Sequence, residues 1–183
     1  MITVRTPGSP KLEPLSAADE AVIEEQLGRP PRAMAGIAYR CPAGHPGVVA
    51  TEPRLPDGTP FPTTYYLTCP HAVAACSRLE SNGVMAELGA RLAEDPKLAA
   101  AYRRAHEAYL ADRAALGDVP ELAGISAGGM PDRVKCLHAL VGHSLAAGPG
   151  VNPIGDEALA QLKPYWPQAP CQPAAPEPPP PPR

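Results

Sequence analysis

The sequence predicts an α+β domain, in which a small three-stranded antiparallel or mixed sheet packs with five or six helices. The order of strand-like and helical patterns along the chain and the chain length support this prediction. Strand-like segments lie within residues 33–68, whereas helical patterns dominate residues 69–162. The chain has 183 residues, which is enough for one domain of about 150 residues but not for two.

One helix and three strands are expected in the first part of the chain. Ser16 is a typical helix N-cap and Gly28 a typical C-cap, so together they bound a short helix. Pro30 and Pro31 then force extended backbone. Short runs with β-branched and aromatic residues predict strands at residues 33–41, 48–51 and 63–68, with a proline-rich surface loop at 52–62.

Helical patterns fill the second part of the chain. Asp95 and Pro96 form an N-cap and a first-turn proline, and Gly117 ends the long helix that they start. Gly128 and Gly129 are expected to begin a further helix that continues to about residue 147. The helices predicted in this part cover residues 70–81, 84–94, 96–116, 128–147 and 156–162.

Proline content marks the ends of the predicted domain. Ten of the 27 prolines lie between residues 164 and 182, which predicts a disordered or polyproline II tail at residues 164–183. Residues 1–15 lack periodicity and are expected as a flexible leader, which leaves residues 16–163 for a single domain. A proline-rich tail is the kind of segment that an aromatic groove on a partner protein binds.

Composition argues against two classes of partner. A net charge of −3 argues against nucleic-acid binding through a broad basic face. The sequence has no run of about 20 apolar residues, so no membrane span is expected. The first residues lack the apolar region of a signal peptide, which predicts a cytoplasmic protein with reduced thiols.

The predicted helix at residues 128–147 carries most of the candidate chemistry. On an ideal helix Asp132, Cys136 and His143 fall within about 40° of one another, opposite an apolar stripe. A solvated face more commonly carries Lys, Glu or Arg, although a chance alignment is the alternative. Asp132 and His143 are therefore candidate catalytic residues, with Asp132 as the carboxylate that orients a histidine or a water.

The start of this predicted helix is also a candidate anion site. Backbone N–H groups of Gly128 and Gly129, beside a helix N-terminus, can hold a phosphate or a carboxylate. Arg133 and Lys135 supply positive charge nearby. Glycine pairs also serve as plain turns, but with the two basic residues this pattern predicts binding of a small phosphorylated or anionic ligand.

Cysteines and histidines supply the candidate metal ligands. Three thiolates with one imidazole would complete a four-coordinate zinc site. The thiolates alone would instead hold an iron–sulfur cluster. The sequence has no CxxC pair, so a protein without metal, in which these thiols react directly or only pack, stays an alternative. The candidate ligands are Cys41, Cys69, Cys136, His138 and His143.

Four sequence blocks between residues 28 and 159 carry a resemblance to a known family. They are GRPPRAMAGIAYRCPAG, LPDGTPFPTTYYLTCP, AYRRAHEAYLADR and SAGGMPDRVKCLHALVGHSLAAGPGVNPIGDEAL. In these blocks the chain resembles the actinobacterial family called domain of unknown function 501. The resemblance implies a compact cytoplasmic domain, encoded near genes for cell division and polyphosphate hydrolysis, and it implies no established activity.

Three functional hypotheses follow from the sequence. The favoured one is a metal- or thiol-dependent hydrolase of a small phosphorylated or anionic substrate. The second is a non-enzymatic interaction module with a structural metal clip and the proline-rich tail. The third is a thiol redox sensor that uses Cys69, because a helix N-terminus favours the thiolate. Four protein ligands on a metal are typical of a structural site, and three with an open position are typical of a catalytic site.

Overall fold

A three-stranded antiparallel sheet packs with helices, which confirms the predicted α+β class. The structure is a computed structural model and describes residues 11–162. Within this range it has six α-helices and one 3-10 helix, and none of them is long and apolar enough to span a membrane. The predicted tail at residues 164–183 and residues 1–10 of the predicted leader lie outside the described residues.

Several helix ends coincide with the capping residues that predicted them. The Ser16 hydroxyl accepts a hydrogen bond from the Asp19 backbone N–H at 3.1 Å, and Gly28 ends the same helix in the left-handed conformation. The Asp95 carboxylate accepts hydrogen bonds at the start of the longest helix. The helices are α1 (Ala17–Leu27), α2 (Pro70–Ser81), α3 (Val84–Glu94), α4 (Pro96–Leu116), α5 (Leu137–Ala147) and α6 (Pro153–Leu162).

The sheet consists of three strands, β1 (Met34–Arg40), β2 (Pro46–Thr51) and β3 (Tyr65–Leu67). Strand β2 is central and pairs antiparallel with both neighbours, so that Val49 lies opposite Ile37 on one side and Tyr66 on the other. The backbone of Glu13 forms two hydrogen bonds of 2.9 Å with Ile37. Glu13, which the predicted leader included, therefore lies against β1.

The main apolar core lies between one face of the sheet and the helices α2–α6. Because side chains alternate along a strand, Val48 faces this core while Val49 turns to the opposite face. Helix α5 is central to the core, and its Leu140 is fully buried. Gly142 allows α5 to approach β3 closely, since a Cβ atom there would lie 3.3 Å from the Tyr65 carbonyl oxygen.

The predicted helix start at Gly128 is wrong. Helix α5 begins at Leu137, nine residues later. Gly128 and Gly129 have φ angles of 67° and 96°, in the left-handed region that an α-helix does not use. The segment instead forms a compact loop, in which the Lys135 backbone N–H donates to the Gly128 carbonyl oxygen at 2.7 Å. The glycine pair that is predicted to begin the helix thus belongs to a separate loop.

The shared helical stripe of Asp132, Cys136 and His143 is wrong for the same reason. Asp132 lies in the loop before α5, Cys136 is the N-cap of α5, and only His143 lies within the helix. Angular spacing on an ideal helix therefore says nothing about the relative positions of these three side chains.

Candidate metal centre

Glu80, Cys136 and His138 form a compact group of metal-binding side chains. Among residues 11–162, this is the one group of three or more such residues whose ligand atoms all lie within 4.8 Å of one another. His138 Nδ1 lies 3.2 Å from Glu80 Oε1 and 4.0 Å from Cys136 Sγ. The group joins the last turn of α2 to the first turn of α5.

Glu80 holds the start of α5 against α2. Its Oε1 atom accepts a hydrogen bond of 2.7 Å from the backbone N–H of Leu137, the first residue of α5. This contact satisfies one of the N–H groups that a helix N-terminus leaves unpaired, and a negative charge is favourable there. The carboxylate is thereby fixed beside the two residues that flank Leu137 in sequence.

Hydrogen bonds orient the His138 ring. Its Nε2 atom lies 3.2 Å from the Val73 carbonyl oxygen and 3.3 Å from the Ser77 hydroxyl. A carbonyl oxygen can only accept, so the contact with Val73 favours the proton on Nε2. Nδ1 then faces Cys136 and Glu80 with its lone pair. A backbone carbonyl on the outer nitrogen is the usual arrangement for a histidine that binds metal through the other nitrogen.

The three side chains alter one another's protonation. The His138 imidazole lowers the pKa of the Cys136 thiol, and the Ala139 backbone amide at the helix start adds to this effect. Conversely, Cys136 and then Glu80 raise the pKa of His138. The two shifts are opposite in direction, so each side chain makes the charged form of the other more favourable than it is in an isolated residue, and a metal ion would compete with a proton for His138 Nδ1.

A cleft of about 510 Å³ opens beside this group. It lies between β3 and the ends of α1, α2 and α5, and both Cys136 and His138 line it. Its other walls are mainly apolar and aromatic, with Tyr66 and Val73 among them, and none of the lining residues within 11–162 is Lys, Arg, Asp or Glu. The side chains of Glu80 and His138 are 24% and 27% exposed, so small molecules can reach the group.

The spacing of the donor atoms is close to that of a zinc site. Around a tetrahedral Zn²⁺ with bonds of about 2.0–2.3 Å, neighbouring ligand atoms lie about 3.3–3.6 Å apart. The observed distances from His138 Nδ1 are 3.2 Å to the carboxylate oxygen and 4.0 Å to the sulfur. Each of these two distances is within about 0.5 Å of the tetrahedral spacing, and a Glu80 carboxylate oxygen lies within 4.8 Å of Cys136 Sγ.

Of the five metal ligands predicted from the sequence, the structure brings Cys136 and His138 together in this group. Cys41 and Cys69 are buried and lie outside it. Both lie near Gly47, whose carbonyl oxygen accepts a hydrogen bond of 3.3 Å from the Cys69 backbone N–H. A centre built on three cysteines therefore stays a prediction, and the geometry supports a different set of ligands.

His143 lies in the apolar core, outside the group. Its ring is stacked on Tyr65, with 5.8 Å between centroids, and meets the Tyr109 ring edge-on at 5.1 Å. The Asn152 side-chain amide lies 3.1 Å from His143 Nδ1. Burial lowers the pKa of His143 to about 4, so the ring is neutral at pH 7.

The predicted catalytic and anion-binding residues before α5 lie on the surface loop. The Asp132 side chain is 70% exposed and forms an ion pair of 2.9 Å with Arg103. Arg133 and Lys135 are exposed as well. Because α5 begins at Leu137, Gly128 and Gly129 do not lie at a helix N-terminus. Anion binding by this loop stays a prediction without that support.

Glu80 was missed by sequence reasoning, although the sequence carries a signal for it. The residue lies in the last turn of α2, where the helix dipole disfavours a negative charge. An acidic residue at such a position indicates that another partner stabilises the carboxylate. Here the partners are the start of α5 and His138, which are 57 and 58 residues away in sequence.

Fold and site together define an α+β protein with a group of three metal-binding side chains at the start of a buried helix. The chain belongs to the family described as "Protein of unknown function (DUF501)", whose model matches residues 37–160. The match confirms the resemblance to this family, and it includes all three residues of the group. No curated protein and no solved structure matches the chain.

Proposed function

We propose that Glu80, Cys136 and His138 bind a zinc ion and that the protein is a zinc-dependent hydrolase. One observation carries this proposal: the carboxyl group of Glu80, the thiol of Cys136 and the imidazole of His138 lie within 4.8 Å of one another, and two of these residues line a cleft. These three donor types are the ones that zinc binds in proteins. Within residues 11–162 the group supplies three metal ligands. Three protein ligands with an open fourth position are typical of a catalytic zinc site.

The protein's own residues would prepare the centre in advance. Leu137 holds the Glu80 carboxylate, and the Val73 carbonyl orients the His138 ring. The His138 imidazole lowers the pKa of Cys136, which favours the thiolate form that binds metal. A zinc ion held there would supply Lewis-acid activation of water or of a substrate. The apolar walls of the cleft would hold the substrate and exclude bulk water.

Metal analysis of substituted proteins tests the zinc proposal. We expect one zinc per chain in the unmodified protein after treatment with EDTA and reloading. His138→Gln and Cys136→Ala should each lower zinc affinity by more than about 100-fold, because loss of an outer partner alone costs about 10–100-fold. Equilibrium dialysis with zinc measures the affinity, and circular dichroism confirms that each variant folds.

Cys41→Ala and Cys69→Ala are the matched controls, because both residues are cysteines outside the group. They should retain zinc with unchanged affinity. Loss of zinc in these controls, or a brown protein that contains iron, would contradict the proposed ligand set and favour the centre built on three cysteines.

Hydrolysis is tested separately with the zinc-loaded protein and a panel of chromogenic esters, amides and phosphoesters. We expect turnover of at least one class, abolished by EDTA and by His138→Gln. Zinc binding without turnover of any class would overturn the hydrolase proposal and favour the interaction module with a metal clip. The cytoplasmic location and a partner for the proline-rich tail remain predictions.

A further inference from the structure

A second cavity, of about 250 Å³, lies on the opposite face of the sheet from the main core. Val49 of β2 and Tyr66 of β3 form its floor, and Phe61 contributes a second aromatic ring. Two arginines, Arg29 and Arg32, also line it. The combination of aromatic surface and positive charge distinguishes this cavity from the cleft beside Cys136, where no arginine or lysine is among the described lining residues.

Neither arginine of this cavity has an ion-pair partner within the part of the chain that the structure describes. Other arginines do, since Arg40 pairs with Asp19 at 2.9 Å and Arg54 with Glu121 at 2.8 Å. The Thr59 amide and, to a smaller extent, the charge of Arg32 lower the pKa of Asp57, but no ion pair joins the two side chains within 4.0 Å. Arg29 and Arg32 can therefore donate their hydrogen bonds to a ligand.

The backbone between α1 and β1 is constrained and places both arginines beside the cavity. Helix α1 ends at Gly28, and Pro31 restricts the chain between the two side chains. Ala33 has a φ angle of 48°, which is strained for a residue with a Cβ atom. Its carbonyl oxygen accepts a hydrogen bond of 2.7 Å from the Glu52 backbone N–H, and this contact holds the strained turn in place.

We propose that this cavity binds a small organic anion, with the anionic group held by Arg29 and Arg32 and an apolar body packed against Phe61 and Tyr66. Guanidinium groups match carboxylate and phosphate oxygens through paired N–H donors. The volume is below the roughly 300–1,000 Å³ of pockets for drug-sized ligands, so the ligand has about one ring and a head group. The inference goes beyond the proposed hydrolase, because it needs no metal.

Binding of simple probes to the full chain tests this site. We expect phenyl phosphate or benzoate to bind measurably by calorimetry, and neutral phenol to bind at least about 10-fold more weakly. The double variant Arg29→Ala/Arg32→Ala should lose about 100-fold in affinity for the anionic probe. Both side chains are exposed, so this variant is expected to fold. Phe61→Ala should weaken phenyl phosphate but leave inorganic phosphate unchanged.

Two controls separate this site from other sources of binding. Arg104→Ala removes an exposed arginine of α4 that does not line the cavity, and it should leave affinity unchanged. EDTA should also have no effect. Loss of binding with EDTA or with His138→Gln would assign the anion to the metal centre and overturn the inference. Equal affinity for phenol, an unchanged double variant, or no binding of either anionic probe would overturn it as well.

Discussion

Replacing Gly155 with alanine should lower the free energy of unfolding by about 3 kcal/mol. Gly155 lies where α6 crosses α5, and a Cβ atom there would be 2.3 Å from the Leu140 carbonyl oxygen and 2.4 Å from the Ser144 hydroxyl oxygen. The first of these atoms belongs to the backbone of α5, so a rotamer change cannot relieve the overlap. The two helices have to separate, and buried contacts between them are lost.

Gly89→Ala is the matched control for this substitution. Gly89 lies inside α3, and a Cβ atom there would have no neighbour within 4 Å. Alanine at this position should raise the free energy of unfolding by about 0.5–1 kcal/mol, because it restricts the unfolded chain and favours the helix. Urea unfolding of both variants measures the two effects. Equal stabilities of the two variants would contradict the close crossing of α5 and α6.

The Gly155 substitution also links packing to the candidate centre. Helix α5 carries Cys136 at its N-cap and His138 in its first turn, and its position depends on the contact with α6. If α5 shifts, the distances from these two residues to Glu80 change as well. Zinc affinity of folded Gly155→Ala protein should therefore fall, whereas that of Gly89→Ala should not.

The fold could be predicted where local signals decide the structure. Helix α4 begins and ends as predicted because Asp95 caps its start and Gly117 follows its end. The start of α5 could not be predicted in this way. Gly128 and Gly129 are compatible with a helix start or a turn, and contacts formed only in the folded chain select the turn. A Cβ atom on Gly128, for example, would lie 2.6 Å from Leu140.

The candidate centre could be predicted only in part, for a related reason. Cys136 and His138 are two residues apart, so their proximity follows from the local sequence. Glu80 comes from another helix, and its approach depends on how α2 packs against α5. Cysteine and histidine are residue types that commonly bind metals. A single glutamate cannot be told apart in the sequence from the many acidic residues that only face solvent. His143 shows the converse. Its residue type predicts a functional site, but the residue is buried in the core.

Acidification should destabilise the protein through His143 by up to about 3 kcal/mol between pH 6.5 and pH 4. Burial lowers the pKa of His143 to about 4, whereas a histidine in the unfolded chain titrates near 6.5. Between these values the unfolded state binds more protons, so falling pH favours unfolding. The stabilisation is fully present above about pH 6.5 and is lost as the pH falls to 4.

Hydrogen bonds around His143 give this effect a structural cause. The Gly155 backbone N–H donates to Asn152 Oδ1 at 2.9 Å, which fixes the amide so that its Nδ2 donates to His143 Nδ1 at 3.1 Å. His143 Nε2 is buried without a hydrogen-bond partner among the described residues. A second proton would have to bind Nδ1, where it would break the contact with Asn152 and place a charge between Tyr65 and Tyr109.

Urea unfolding at pH 7 and pH 4.5, with the unmodified protein and His143→Phe, isolates this contribution. Phenylalanine retains an aromatic ring beside the two tyrosines but does not titrate, so His143→Phe should lose less stability on acidification. His106 and the surface carboxylates titrate in both proteins, and their contributions cancel in the comparison. The absolute stability of His143→Phe is not the test, because Asn152 loses its partner at both pH values. An equal loss of stability in both proteins between pH 7 and pH 4.5 would show that protonation of His143 does not cause the acid destabilisation.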